Sequence, residues 1–207
     1  MHIAILLFDD LTVLDAAGPA EVLGRLPGAR VSFVAKQAGP VSSQEGSSGL
    51  KLIADAGFDQ VPRTDVLLVP GGPGYATAAN DPATLAWLRS LAAEAAWVTS
   101  VCTGALVLGA AGLLQGKRAT THWSMIDALA DHGAVPERAR FVRDGQVVTG
   151  AGVSAGIDMA LTLAALIAGP ERAQAIQLQI EYAPEPPFDA GTLGTAPETV
   201  KRLLGVS

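Results

Sequence analysis

The residue whose type and position could do chemistry is Cys102, the single cysteine among the 207 residues. Residues 97–101 form a short apolar and β-branched run, which predicts a buried strand. Residues 103–114 are rich in Ala, Leu and Gly and carry no charge, which predicts a buried helix. A cysteine at such a strand-to-helix turn sits on a nucleophile elbow, with the first helix amides directed at it. Because amides and the helix dipole stabilise a thiolate, we expect a lowered pKa for Cys102.

The elbow pattern is partial, because Ser100 stands where its common form has a first glycine. Gly104 allows the turn to fold tightly. A free cysteine is also among the most often buried residue types, so Cys102 taken alone is better read as a small core residue. Its place at a predicted elbow favours the interpretation of Cys102 as a nucleophile.

A carboxyl group that could serve this nucleophile is Asp15. Residues 2–8 predict a central parallel strand, and Gly18-Pro19 predicts a helix start with Pro at the first helical position. Asp15 is therefore expected in the loop between them, at the carboxyl edge of the sheet where sites form. The other residues of 13–17 are apolar, so we expect a raised pKa for this carboxyl group. A solvated loop acid or a helix cap is the alternative interpretation.

Glycines follow another predicted strand, residues 65–70, at Gly71 and Gly72. Their amides could face a developing negative charge, as in an oxyanion hole, or the segment could be only a tight turn. The spacing matches neither a phosphate loop nor a dinucleotide fingerprint.

Two further polar residues are weaker candidates for catalysis. Glu21 is expected in the first turn of the first helix, where it is a second candidate acid. His122 is expected at the start of a helix over 122–132 that Thr121 caps, as a candidate base or only a polar anchor. Residues 181–191 are rich in proline and aromatics, and predict an ordered tail packed on the surface near the site.

Strands and helices alternate along the chain, which predicts a single α/β domain over residues 1–207, with a small hairpin within 39–55. The formal charge of −6 argues against nucleic acid or an anionic membrane as partner. One cysteine excludes an intrachain disulfide and a cysteine-cluster metal site. The N-terminus has neither a basic region nor a long apolar run, so we expect a cytoplasmic protein.

Four motifs together resemble those of the ThiJ/PfpI superfamily, which has the class I glutamine-amidotransferase-like fold. They are Ser-Val-Cys-Thr-Gly at 100–104, Pro-Gly-Gly-Pro-Gly at 70–74, Arg-Ala-Thr-Thr-His-Trp at 118–123 and Gly-Val-Ser-Ala-Gly-Ile-Asp at 152–158. The resemblance covers nearly the whole chain. It implies a flavodoxin-like three-layer sandwich with a mostly parallel central sheet, and a homodimer.

Residues 11–19 and the long segment 179–191 are similar to those of superfamily members that hydrate isocyanides. This resemblance implies conversion of a small-molecule isocyanide to an N-substituted formamide, with no cofactor and no metal. It makes Cys102 the nucleophile and Asp15 the acid–base group, and Thr103 would help to position the thiolate and the substrate or water. The amides of Gly71 and Gly72 are candidate anion donors, and the backbone near Val153 is a candidate contact of the sulfur.

Other functions remain open at the level of the sequence. A related cysteine hydrolase or deglycase would use His122 as base, but such members place His directly after the cysteine, where this chain has Thr103. A non-catalytic sensor domain is another alternative, because similar motifs occur in transcription regulators that carry a helix-turn-helix domain. An accessible cysteine of low pKa could also act as a redox sensor.

Overall fold

The computed structural model describes residues 1–43 and 49–206, and the statements below concern those residues. The strands are β1 (His2–Leu6), β2 (Arg30–Ala35), β3 (Gly39–Ser42), β4 (Lys51–Ala54), β5 (Ala56–Gly57), β6 (Val66–Val69), β7 (Trp97–Val101), β8 (Arg118–Ala119), β9 (Val135–Pro136), β10 (Phe141–Asp144) and β11 (Val147–Gly150). The α-helices are α1 (Val13–Leu23), α2 (Tyr75–Ala79), α3 (Pro82–Ala92), α4 (Gly104–Ala110), α5 (Ala155–Ala168), α6 (Pro170–Gln179) and α7 (Glu198–Leu203). Two 3₁₀ helices cover Phe58–Gln60 and Trp123–His132.

Seven strands form the central sheet in the order β10-β11-β7-β6-β1-β2-β5. Their pairings are parallel except for the antiparallel hairpin of β10 and β11. Strands β3 and β4 form the predicted small hairpin, whose connecting residues 44–48 lie outside the described residues. The predicted mostly parallel α/β sheet is therefore confirmed.

Helices cover both faces of this sheet, which makes the predicted three layers. Along β1, Ala4 and Leu6 pack into one hydrophobic cluster with α3 and α4. Ile3 and Ile5 pack into the other cluster with α1, α5 and α6. This alternation follows from the two-residue period of a strand that is buried on both faces. None of the described helices is both long and apolar enough to cross a bilayer.

Helix α1 begins at Val13 rather than at Gly18, so Asp15 lies in its first turn and not in a loop. The amide of Asp15 donates to the carbonyl of Thr12, which closes that turn. Pro19 is consequently inside the helix. Its ring faces α5, where a Cβ added at Gly156 would lie 3.3 Å from the Pro19 Cγ. Close packing of α1 on α5 accounts for a proline that helix propensity alone would disfavour.

Two other local predictions are wrong. Glu21 lies near the end of α1 and not in its first turn, and its exposed carboxylate pairs with Arg25 at 2.6 Å. Thr121 does not cap the helix that follows, because its hydroxyl donates to the carbonyl oxygen of Cys102 at 2.7 Å. The His122 side chain takes the capping position and accepts from the Ser124 amide.

Candidate active site

Cys102 stands between the end of β7 and the start of α4, in the predicted elbow. Its φ of 57° is in the left-handed region that side chains rarely adopt. Its amide donates to the carbonyls of Gly150 and Ala151 at 3.1 and 2.9 Å, and Thr121 binds its carbonyl. A Cβ at Gly104 would collide with backbone oxygens at the end of β6, so the tight turn requires glycine there. These contacts hold the strained backbone in place.

Asp15 reaches this elbow from the first turn of α1 and is fully buried. Its Oδ2 accepts from the Gly71 amide at 3.0 Å. Its Oδ1 has no hydrogen-bond partner among the side-chain and backbone groups of the described residues. The thiol of Cys102 interacts with this carboxyl group. The nucleophile and the acid that the sequence suggested are therefore side by side, and both side chains are buried.

Burial raises the pKa of Asp15 to about 7, although the Gly71 amide and the Cys102 thiol both oppose the shift. The predicted raised pKa of this acid is confirmed. Burial, followed by the charge of Asp15, raises the pKa of Cys102 to about 12. The amides of Thr103 and Val153 bind the sulfur and lower its pKa, but less strongly. The expected lowered thiol pKa is therefore wrong for the free site, because a buried anion next to a carboxylate is costly.

The amides of Gly71 and Gly72 lie at the site, but each already holds a side chain. Gly71 donates to Asp15, and Gly72 donates to Thr103 Oγ1 at 2.9 Å. The Thr103 hydroxyl in turn donates to the Gly72 carbonyl at 3.2 Å. A Cβ at Gly71 would lie 2.9 Å from the Cβ of Cys102, so glycine is needed for this approach. The predicted anion donors thus bind the acid and Thr103 in the free site.

A cavity of about 580 Å³ adjoins the elbow, and we call it the His122 cavity. Its lining residues come from 120–123, Ile126, 138–140, 151–154 and 191–194. Burial lowers the pKa of His122, so its imidazole is neutral near pH 7. No hydrogen bond joins His122 to Cys102 or Asp15 in the described part of the chain. Among the described residues, no three His, Cys, Asp or Glu side chains are grouped as metal ligands.

The pattern of the DJ-1/PfpI family matches residues 1–166, which is most of the chain. The chain belongs to the DJ-1/PfpI family. A curated relative, isonitrile hydratase from Pseudomonas putida, is 52% identical over 97% of this chain and 86% of its own length. The crystal structure of a ThiJ/PfpI family protein from Pseudomonas syringae superposes with a TM-score of 0.94 at 45% identity, covering 98% of this chain and 84% of that one.

Some of the curated relatives of this chain are transcription regulators. The regulator CdhR from Pseudomonas aeruginosa is 35% identical over 68% of this chain, which matches 41% of the regulator's length.

At this candidate site, the structure brings together Cys102, Asp15, Thr103, Gly71 and Gly72, and the Val153 amide at the sulfur. Glu21 is not part of this site, because its side chain is exposed on α1. Sequence reasoning missed the Thr121 hydroxyl, which holds the elbow carbonyl. The signal available was its place beside His122 in a family motif, and that signal carries no contact information.

Proposed function

We propose that this protein is an isocyanide hydratase, a cofactor-free hydro-lyase that converts R–NC and water into the formamide R–NH–CHO. The observation that carries the proposal is the buried pair of Cys102 with Asp15, whose pKa of about 7 suits an acid–base group. The 52% identity to isonitrile hydratase over 97% of the chain supports the same reaction.

The first step forms a covalent thioimidate at Cys102. The terminal carbon of an isocyanide accepts a nucleophile and needs a proton at that same carbon. With the thiol protonated, ionised Asp15 takes the proton from sulfur as the sulfur bonds to this carbon. Asp15 then delivers the proton to the carbon. The product is Cys–S–CH=N–R, and Asp15 is again a carboxylate.

The second step hydrolyses this thioimidate. Asp15 activates a water that attacks the same carbon, and the nitrogen becomes protonated as the tetrahedral adduct forms. Collapse of the adduct breaks the C–S bond and releases R–NH–CHO. The remaining hydroxyl proton returns through Asp15 to sulfur. One carboxyl group thus alternates between acid and base, which requires a pKa near the working pH.

The amides of Thr103 and Val153 stabilise negative charge as it develops on sulfur, because both already bind that atom. The Gly71 amide holds the Asp15 carboxyl group, and the Gly72 amide binds the Thr103 hydroxyl next to Cys102. These contacts keep Asp15 and the elbow in position. A cysteine hydrolase with His122 as base is less well supported, since no hydrogen bond connects that ring to the thiol. Our proposal also includes a single domain over 1–207, a cytoplasmic location and a homodimer, and the 49% hydrophobic composition supports the homodimer.

The reaction is tested by following formamide formation from 4-methylphenyl isocyanide across pH 5 to 9. We expect kcat/KM to rise with pH and to level off above about 7, because Asp15 must be ionised to accept the thiol proton. Failure to hydrate this and several alkyl isocyanides would refute the hydratase proposal. A rate that falls with rising pH would refute the assigned role of Asp15.

Thr103→Val is expected to lower kcat about 10- to 100-fold while leaving the fold intact. The variant loses the hydroxyl that accepts from the Gly72 amide in the loop after β6. The buried Gly72 amide is then without its acceptor, which costs about 1–3 kcal/mol in stability. The loop also carries the Gly71 amide that binds Asp15, so the pH midpoint should rise. Thr103→Ser keeps the hydroxyl and should restore both the rate and the midpoint. An unchanged midpoint in the valine variant would contradict this positioning role.

A further inference from the structure

The His122 cavity is connected to the nucleophile through three of its own lining residues. Ala151 accepts from the Cys102 amide, Thr121 donates to the Cys102 carbonyl, and the Val153 amide binds the sulfur. Because Val153 both binds the sulfur and lines the cavity, a substituent that extends from the sulfur past Val153 enters this cavity. At about 580 Å³, the cavity is in the range of small-molecule sites and is much larger than an isocyanide group alone.

Part of the lining is apolar and aromatic. Trp123, Ile126, Val153 and Leu193 all contribute to the wall. The rings of His122 and Trp123 lie with their centroids 5.2 Å apart and are tilted by 38°. Such a wall suits an aryl or alkyl group on the isocyanide nitrogen.

The charged part of the lining is entirely basic. Arg138 and Arg140 contribute to it, whereas none of the described residues that line the cavity is Asp or Glu. This is notable in a chain with 20 acidic and 14 basic residues. Next to it, the Nδ1 of His122 lies 2.7 Å from the Ser124 hydroxyl and 3.4 Å from the Ser124 amide nitrogen.

The two arginines are held differently. Arg140 is fixed by Asp158 at 2.6 Å and by the Ser154 hydroxyl at 3.1 Å. Arg138 pairs with Asp127 at 3.4 Å, and the Asp127 side chain is 92% exposed. A pair of this kind contributes only about 0–1 kcal/mol. Arg138 can therefore exchange its partner for a ligand anion at little cost.

We propose that the His122 cavity receives the substituent of the isocyanide and selects substituents that carry a carboxylate, with Arg138 as the residue that binds it. The proposal rests on the hydratase function proposed above. Arg138 offers a fork of N–H donors that matches a carboxylate, and the apolar wall holds the carbon skeleton between the two ends. The preferred substrates are thus isocyano carboxylic acids rather than neutral isocyanides.

The experiment compares 4-isocyanobenzoate with its methyl ester, which has nearly the same shape but no charge, and with 4-methylphenyl isocyanide as an uncharged reference. For the wild type we expect kcat/KM to favour the carboxylate over the ester by about tenfold, as for a charge-assisted hydrogen bond. In Arg138→Met the preference should fall to about twofold or less. Arg89→Met removes an equal charge from α3, outside the cavity, and should keep the wild-type preference.

Salt provides a second readout, because 0.5 M NaCl should weaken the carboxylate preference of the wild type and leave the ester unaffected. Equal kcat/KM for acid and ester in the wild type, or an unchanged preference in Arg138→Met, would overturn the selection proposal while hydration itself stands. Loss of turnover with all three compounds would instead overturn the hydratase function.

Discussion

Cys102→Ala is expected to abolish formamide formation, with a loss of about 10⁴-fold or more in kcat. The thioimidate needs a sulfur at this position, and no other cysteine is present in the chain to replace it. Alanine has no larger steric demand at a φ of 57°, and the hydrogen bonds of the Cys102 amide and carbonyl do not involve the thiol. The fold should therefore persist, as checked by circular dichroism and thermal unfolding.

Mass spectrometry of the quenched reaction gives an independent measure of the same step. Wild type mixed with excess isocyanide should carry one added isocyanide mass on the peptide that contains Cys102, and the alanine variant should carry none. Cys102→Ser offers a weaker nucleophile of the same shape and should show little turnover. Retained hydration in Cys102→Ala would require direct attack by water and would remove the covalent step from the mechanism.

Asp15→Asn is expected to stop turnover, with a loss of about 10³-fold or more, because the amide can neither accept the thiol proton nor deliver it. Its side-chain oxygen can still accept from Gly71, so the loop should remain in place. Glu21→Gln is the matched control on the same helix, since its carboxylate is exposed. That control should keep full activity. Wild-type rates in Asp15→Asn would remove Asp15 from the mechanism.

The same substitution should change how stability depends on pH. Asp15 titrates at 3.8 when exposed and at about 7 when folded, so the folded state binds its proton more tightly. Its favourable contribution is complete below pH 3.8 and is lost as pH rises through 7. Relative to Asp15→Asn, the wild type should lose on the order of a few kcal/mol of unfolding free energy between pH 4 and 8. If urea unfolding gave the same pH dependence of the unfolding free energy for wild type and Asp15→Asn, the raised pKa of the buried Asp15 carboxyl group would be contradicted.

The sequence predicted the sheet, the elbow and the acid because each leaves a local signal. Buried strands such as 97–101 are apolar runs, and the cysteine follows one of them. The start of α1 was not predictable in this way, because Gly18-Pro19 is a strong local start signal that packing on α5 overrides. Tertiary contact decides between two helix starts that propensity alone ranks the other way.

The electrostatics of the site were the least predictable part. Local reasoning gave Cys102 a helix start and therefore a lowered pKa. The raised pKa follows from full enclosure and from the approach of Asp15, which is 87 positions away in the sequence. Similarly, the residues around Thr121 predict a helix cap, and only the fold brings its hydroxyl to the carbonyl oxygen of Cys102. Such contacts depend on the register of strands that a sequence does not display.

The contacts of the site come from five separate parts of the chain, namely the segments at the ends of β1, β6, β7 and β11, and Thr121 after β8. The segments at the ends of β1, β6, β7 and β11 meet only when these strands are paired in their correct register. Activity therefore depends on the same strand pairing as folding does. We expect a partly unfolded chain that has lost any one of these strands to be inactive. For this protein, the active fraction counts the molecules in which β1, β6, β7 and β11 are paired with one another.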